Sequence, residues 1–205
     1  MRREIRGLVA KVEGRQIGLD GVAHGEKYTV TFRRGLPALS GEKLHKDVTL
    51  TLYVRDRAPS ARFAGRGYVL PRTAGAALPV RTLNVGPLDL TLCQISDRNV
   101  MRALRERLFA RPLARYEMRA FESDLAQEIW NGTATVQNTL NVEMTTRLPL
   151  SAPLSGRPPG LYALRALVPG QDKNAAPATL QWFMLSDLGA SSWSGVNGLH
   201  VAVRI

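Results

Sequence analysis

The sequence predicts an all-β chain built of tandem β-sandwich modules, with one short amphipathic helix. Three observations carry this. Nine segments read as strands, most of them alternating apolar and polar residues with period two. Gly- and Pro-rich turns separate them. Only one stretch, near the middle, has a helical repeat instead. Alternation is expected of strands that bury one face and wet the other, and many short strands with such turns point to sandwiches.

In chain order the strands are expected at 15–19, 26–34, 47–56, 79–85, 87–95, 126–136, 141–150, 160–168 and 178–187. Val48, Leu50 and Leu52 oppose Thr49 and Thr51; Leu88, Leu90 and Leu92 oppose Asp89, Thr91 and Cys93. The turns fall at Leu36-Pro37, Ser40-Gly41, Val85-Gly86-Pro87 and Pro158-Pro159-Gly160. A helix is expected over 97–109, with Val100, Leu104 and Leu108 as a stripe, Met101 beside it and Asp97 as N-cap. It is expected to cover a sheet edge or an open end of the sandwich; a binding role is the alternative.

Along 178–187, Leu180, Trp182 and Met184 share a face that is expected to point inward. The strand stops at Ser186-Asp187, and a further strand begins at Gly198. Two polar joints, 55–63 and 186–195, suggest a division into three pieces. Residues 1–58 hold three convincing strands, too few for a sandwich of about 100 residues, and read as the C-terminal part of an incomplete module. Residues 59–188 read as a complete module. Residues 189–205 read as a mobile linker and the first strand of a following module.

Composition bounds the function. The chain has 205 residues, 44% of them hydrophobic, the profile of a globular protein. No apolar run reaches the roughly 18 residues of a membrane helix, and the basic N-terminus lacks the apolar stretch of a secretion signal. One cysteine allows no internal disulfide. The net charge is +11, from 23 Arg and 5 Lys against 17 acidic residues. The arginines are scattered rather than run together, so specific nucleic-acid binding is not expected, although a stand-alone basic sandwich binding nucleic acid or another acidic polymer is the rival reading.

Chemistry is hard to find. His24, His45 and His200 have no metal-ligand spacing. Cys93 lies mid-strand and is expected to be a structural thiol. Glu122 with Asp124, and Glu106 with Glu128, are candidate carboxylate pairs of the kind that any chain of this length offers. Asn131-Gly132-Thr133 reads as a hairpin turn rather than a glycosylation acceptor. Trp130, Trp182 and Trp193 read as core rather than as a stacking platform. No catalytic, cofactor-binding or metal residue is assigned, and no cofactor is expected.

Four segments in order carry a resemblance. They are YTVTFRRGLPALSGEKLHKDVTLTLYVRDRAPSARFAGRGYVLPR, LDLTLCQISDRNV, PPGLYAL, and ATLQWFMLSDLG followed by GLHVAVR. Together they resemble the N-terminal macroglobulin-like modules of bacterial alpha-2-macroglobulins. The resemblance implies tandem macroglobulin/immunoglobulin-like sandwiches and a non-enzymatic, structural role in a periplasmic or cell-envelope inhibitor that traps proteases. It implies neighbouring modules and trapped proteases as partners of the parent, with a lipoprotein anchor on the parent as one option. The chain would then be a fragment, from a truncated gene or an excised piece. The family's thioester motif is Cys-x-Glu-Gln; Cys93 is followed by Gln94-Ile95-Ser96, so no thioester is assigned, and no bait segment is found.

Overall fold

The structure, a computed structural model, describes residues 7–14, 16–38, 40–65, 67–72, 75–109, 111–170 and 179–204. The chain divides into two compact units, residues 1–58 and 59–205.

The first unit contains two antiparallel hairpins. Strands β1 (Val9–Glu13) and β2 (Gln16–Asp20) pair from Val9↔Asp20 to Glu13↔Gln16. Their two-residue turn requires a left-handed residue, and Gly14 supplies it at φ 58°. Strands β3 (Lys27–Phe32) and β4 (Val48–Tyr53) pair so that Tyr28, Val30 and Phe32 share one face with Leu52, Leu50 and Val48. The opposite face carries threonines, with Thr31 Oγ1 and Thr49 Oγ1 3.2 Å apart. The apolar face remains half-exposed at Leu50 and Leu52.

The second unit is a two-sheet sandwich. Strands β5 (Ser60–Phe63), β7 (Ala77–Leu83) and β10 (Glu143–Pro149) form a sheet in the order β10-β7-β5. Strands β6 (Gly67–Pro71), β8 (Pro87–Ile95), β9 (Ala126–Thr135), β11 (Gly160–Leu167) and β12 (Thr179–Ser186) form the other, in the order β6-β12-β11-β8-β9. Only β6 runs parallel to its neighbour. Leu78, Val80 and Leu148 from the smaller sheet meet Leu88, Leu90, Leu92, Leu164, Phe183 and Leu185 from the larger. This is the core that alternation predicts.

A second core lies on the other face of the larger sheet. Helix α1 (Asp97–Arg105), helix α2 (Arg115–Ala120) and a π-helical turn (Phe121–Leu125) pack there. Cys93, Ile95, Leu161, Ala163 and Trp182 come from the sheet; Ala103, Leu108, Met118, Phe121 and Leu125 come from the helical layer and its connections. Strands β8, β11 and β12 are therefore buried on both faces at one end. Trp182 is fully buried and meets Phe121 and Phe109 edge to face, with centroids 5.2 and 5.5 Å apart.

Several expectations change here. The helix covers a sheet face, not an edge or open end, and ends at Arg105. Ser96 occupies the N-cap position, and Asp97 lies in the first turn. Leu104 and Met101 are exposed, while the small Ala103 is the fully buried residue. Of the expected stripe, Val100 and Leu108 do pack into the second core, and only Leu104 turns outward. Met184 is 48% exposed, although its face-mates Leu180 and Trp182 pack inward; its neighbour on the edge strand β6, Val69, is exposed as well. The polar joint at 55–63 contains β5. Asn131-Gly132 is no turn but lies within β9. Gly132 is needed there because the Trp130 indole lies where a Cβ would stand. A β-bulge offsets the register, with Leu92 opposite Trp130 and Cys93 opposite Glu128.

The segment expected to be a mobile linker is a strand. Strand β13 (Gly189–Gly195) pairs along its length with β14 (Gly198–Arg204), from Gly189↔Arg204 to Gly195↔Gly198. The terminal strand thus has a local partner. Trp193 is exposed rather than core and stacks on His200, with ring centroids 5.3 Å apart.

Candidate interaction surfaces

The side chains that could do chemistry are occupied by structural contacts. Cys93 sits on β8 under the helical layer, and burial pushes its thiol up to about 11. A thiol so shifted holds almost no thiolate at neutral pH and is a poor nucleophile. Glu122 pairs with Arg165 on β11, whose other terminal nitrogen donates to Thr91 Oγ1 at 3.1 Å. Asp124 lies 3.7 Å from Arg102, and Arg102 also donates to Glu106 at 2.8 Å. Glu128 accepts a hydrogen bond from Asn131. The candidate carboxylates therefore engage different partners instead of facing one another as a pair.

Glu117 has the most perturbed carboxyl. The Arg111 guanidinium donates to both of its oxygens, and the Ala114 N–H donates to it at 2.7 Å. These bonds, the Arg111 bond foremost, hold its carboxyl down at about 2. The pair ties the α1–α2 connection to the first turn of α2 and performs no evident chemistry. His24 Nδ1 lies 2.9 Å from the Arg55 carbonyl, and His45 is exposed in a loop. Among the described residues, no group of three or more His, Cys, Asp or Glu could hold a metal ion.

A polar cleft of about 380 Å³ opens where β8 enters α1 and the π-helical turn enters β9. Gln94, Ser96, Asn99 and Gln127 line it. The Asn99 amide is already committed, donating at 3.0 Å to the carbonyls of Asp124 and Leu125. This bond fastens the start of α1 to the π-helical turn and gives the cleft a structural origin.

Surfaces, rather than a cleft, are the notable features. The outward side of the helical layer is crowded with arginine. Exposed Leu188, Trp193, Leu199, Val201 and Val203 mark the β13–β14 hairpin and its approach. None of these surfaces was singled out by sequence motif. The arginines of 97–120 are visible as seven basic residues against three acidic ones, a signal diluted by basic residues elsewhere.

Comparison with known proteins agrees with this architecture. The model of the bacterial alpha-2 macroglobulin MG2 domain matches residues 62–180, more than half of the chain and most of the sandwich. Alpha-2-macroglobulin of Escherichia coli (strain K12) is 30% identical over 176 residues, covering 84% of this chain and 10% of the relative. Its counterpart from Xylella fastidiosa (strain 9a5c) is 27% identical over 141 residues, covering 66% of this chain and 9% of the relative. The chain thus spans about a tenth of the length of these relatives. A crystal structure of Salmonella alpha-2-macroglobulin mutant Y1175G superimposes with a TM-score of 0.61 at 22% identity, over 89% of this chain and 10% of that one. The native Escherichia coli structure spanning domains MG0-NIE-MG1 gives 0.54 at 24% identity, over 95% of this chain and 62% of that one. At such identities the superpositions speak for the fold alone, but the family match rests on the sequence of the sandwich itself: this chain belongs to the bacterial alpha-2-macroglobulin family.

Proposed function

We propose that the chain is a structural, non-catalytic part of a protease-trapping inhibitor of the bacterial periplasm or cell envelope. The observation that supports this most is the family match over residues 62–180, which falls on a sandwich whose reactive side chains are engaged in structural contacts. Its work is to hold neighbouring modules of the parent. In this reading residues 1–58 form the rear part of a preceding module, residues 59–188 a whole module, and the β13–β14 hairpin belongs to a following one. The half-exposed apolar face of β3–β4 and the exposed Leu199, Val201 and Val203 of β14 suit surfaces that neighbouring modules cover.

A protease assay tests the role. Purified chain in molar excess should leave trypsin fully active on both protein and small peptide substrates, because trapping would be a property of the whole parent. Stoichiometric inhibition of trypsin by the chain alone would overturn the structural role.

A further inference from the structure

We infer that the outward side of the helical layer is a contact surface for an anionic phospholipid membrane. Helix α1 buries Ala103 against the sheet and α2 buries Met118, so the opposite sides of both helices face solvent. Arg98 and Arg105 lie seven residues apart on the outer side of α1; Arg115 and Arg119 lie on α2, and Arg107 lies between the helices. All five are exposed, and none forms an ion pair with a described residue. The other arginines of this segment, Arg102 and Arg111, are tied to carboxylates.

Apolar side chains stand among these free cations. Met101 is 57%, Leu104 50% and Tyr116 74% exposed. Cations interleaved with exposed apolar and aromatic residues fit a membrane interface, where the guanidinium groups hold lipid phosphates and the apolar groups enter the boundary between headgroups and acyl chains. A nucleic acid would use the arginines but would gain little from Met101 and Leu104. Basic clusters of four to eight residues on amphipathic helices are the kind that anionic lipids attract. The inference stands apart from the trapping role, because it concerns binding by this chain alone.

Flotation of the chain with lipid vesicles tests it. The chain should float with vesicles one-quarter phosphatidylglycerol in phosphatidylcholine at about 0.15 M salt, and not with phosphatidylcholine alone. Reversing Arg98, Arg105, Arg115 and Arg119 to Glu together should weaken partitioning at least about tenfold, given the contribution of each basic residue near an anionic surface. Reversing Lys27, Arg34, Lys43 and Lys46 makes the same change in net charge elsewhere and should have little effect. Should the first variant fail to fold, Met101→Ser with Leu104→Ser provides the second arm, and should weaken vesicle binding while leaving any DNA binding unchanged. Absence of flotation, equal loss in both charge variants, or wild-type flotation of the Met101/Leu104 variant would each overturn the proposal.

Discussion

Replacing Trp182 with Ala probes how the helical layer is joined to the sandwich. The indole is fully buried between the larger sheet and the helices, and it makes two edge-to-face contacts, with Phe121 and Phe109. Truncating a buried Trp to Ala costs about 3–5 kcal/mol through lost burial and the cavity left behind. Each aromatic contact adds about 0.5–1.5 kcal/mol beyond burial. One term opposes these: Trp182 Nε1 is buried without an acceptor, so removing it relieves a penalty of about 1–3 kcal/mol. The net expectation is about 4 kcal/mol, or a fall in Tm of about 10–15 °C for a unit of this size. Thermal unfolding followed by circular dichroism measures it. A double-mutant cycle with Phe121→Ala then isolates the link between sheet and helices, with a coupling of at least about 0.5 kcal/mol expected. A loss below about 1 kcal/mol, or strict additivity with Phe121→Ala, would refute the second core as an energetic unit.

Other expectations follow from particular residues. Cys93, with its thiol raised to about 11, should resist a thiol reagent at pH 8 in the folded protein and react promptly in denaturant; fast labelling of native protein would show the helical layer to be open. Glu117 has a folded carboxyl lowered to about 2 from an ordinary 4.5. A lowered value means that its contribution is present above about 4.5 and is lost as pH falls toward about 2. Glu117→Gln should therefore flatten the acid limb of the Tm-versus-pH curve, and an unchanged limb would contradict the Arg111 pairing. Gly132→Ala should destabilise by displacing the Trp130 indole, which a shift in tryptophan fluorescence would report alongside a lower Tm. Chymotrypsin should cut first after Leu188, Trp193 or Leu199, which are exposed and lie in or beside a two-stranded hairpin that opens more readily than the larger sheets; first cuts inside the sandwich would contradict a division after β12.

Much of the sandwich was legible because alternation directly reports burial. All nine strands expected from the pattern are present, from β2 and β3 to β12. What escaped has identifiable causes. Strand β5 has four residues and follows Pro59, so it offers too short a pattern to register. Strand β13, GASSWSG, lacks β-branched residues and is held by pairing with β14, whose alternating Leu199, Val201 and Val203 do read as a strand. Asn131-Gly132 carries the strongest short hairpin signal, yet its glycine serves to make room for a neighbouring ring. Burial on both faces of β8 and β12 depends on a helical layer of which only 97–109 reads as a helix in the sequence, whereas Met118, Phe121 and Leu125 come from short turns without a helical repeat. The basic surface of that layer was hidden for a different reason: its seven arginines are spaced singly through two helices and the connection between them.

The structural role in a trap is tested most directly in the producing cell with an antibody raised against this chain. A trap encloses its protease, so the captured enzyme should still cleave small peptides while failing on large protein substrates. Immunoprecipitation from a cell-envelope extract treated with trypsin should recover a protein roughly ten times the size of this chain, in keeping with the tenth of its relatives that the chain spans. It should carry trypsin that is active only on the small substrate. A 22.5 kDa species in the cytosolic fraction, recovered without trypsin, would contradict the account.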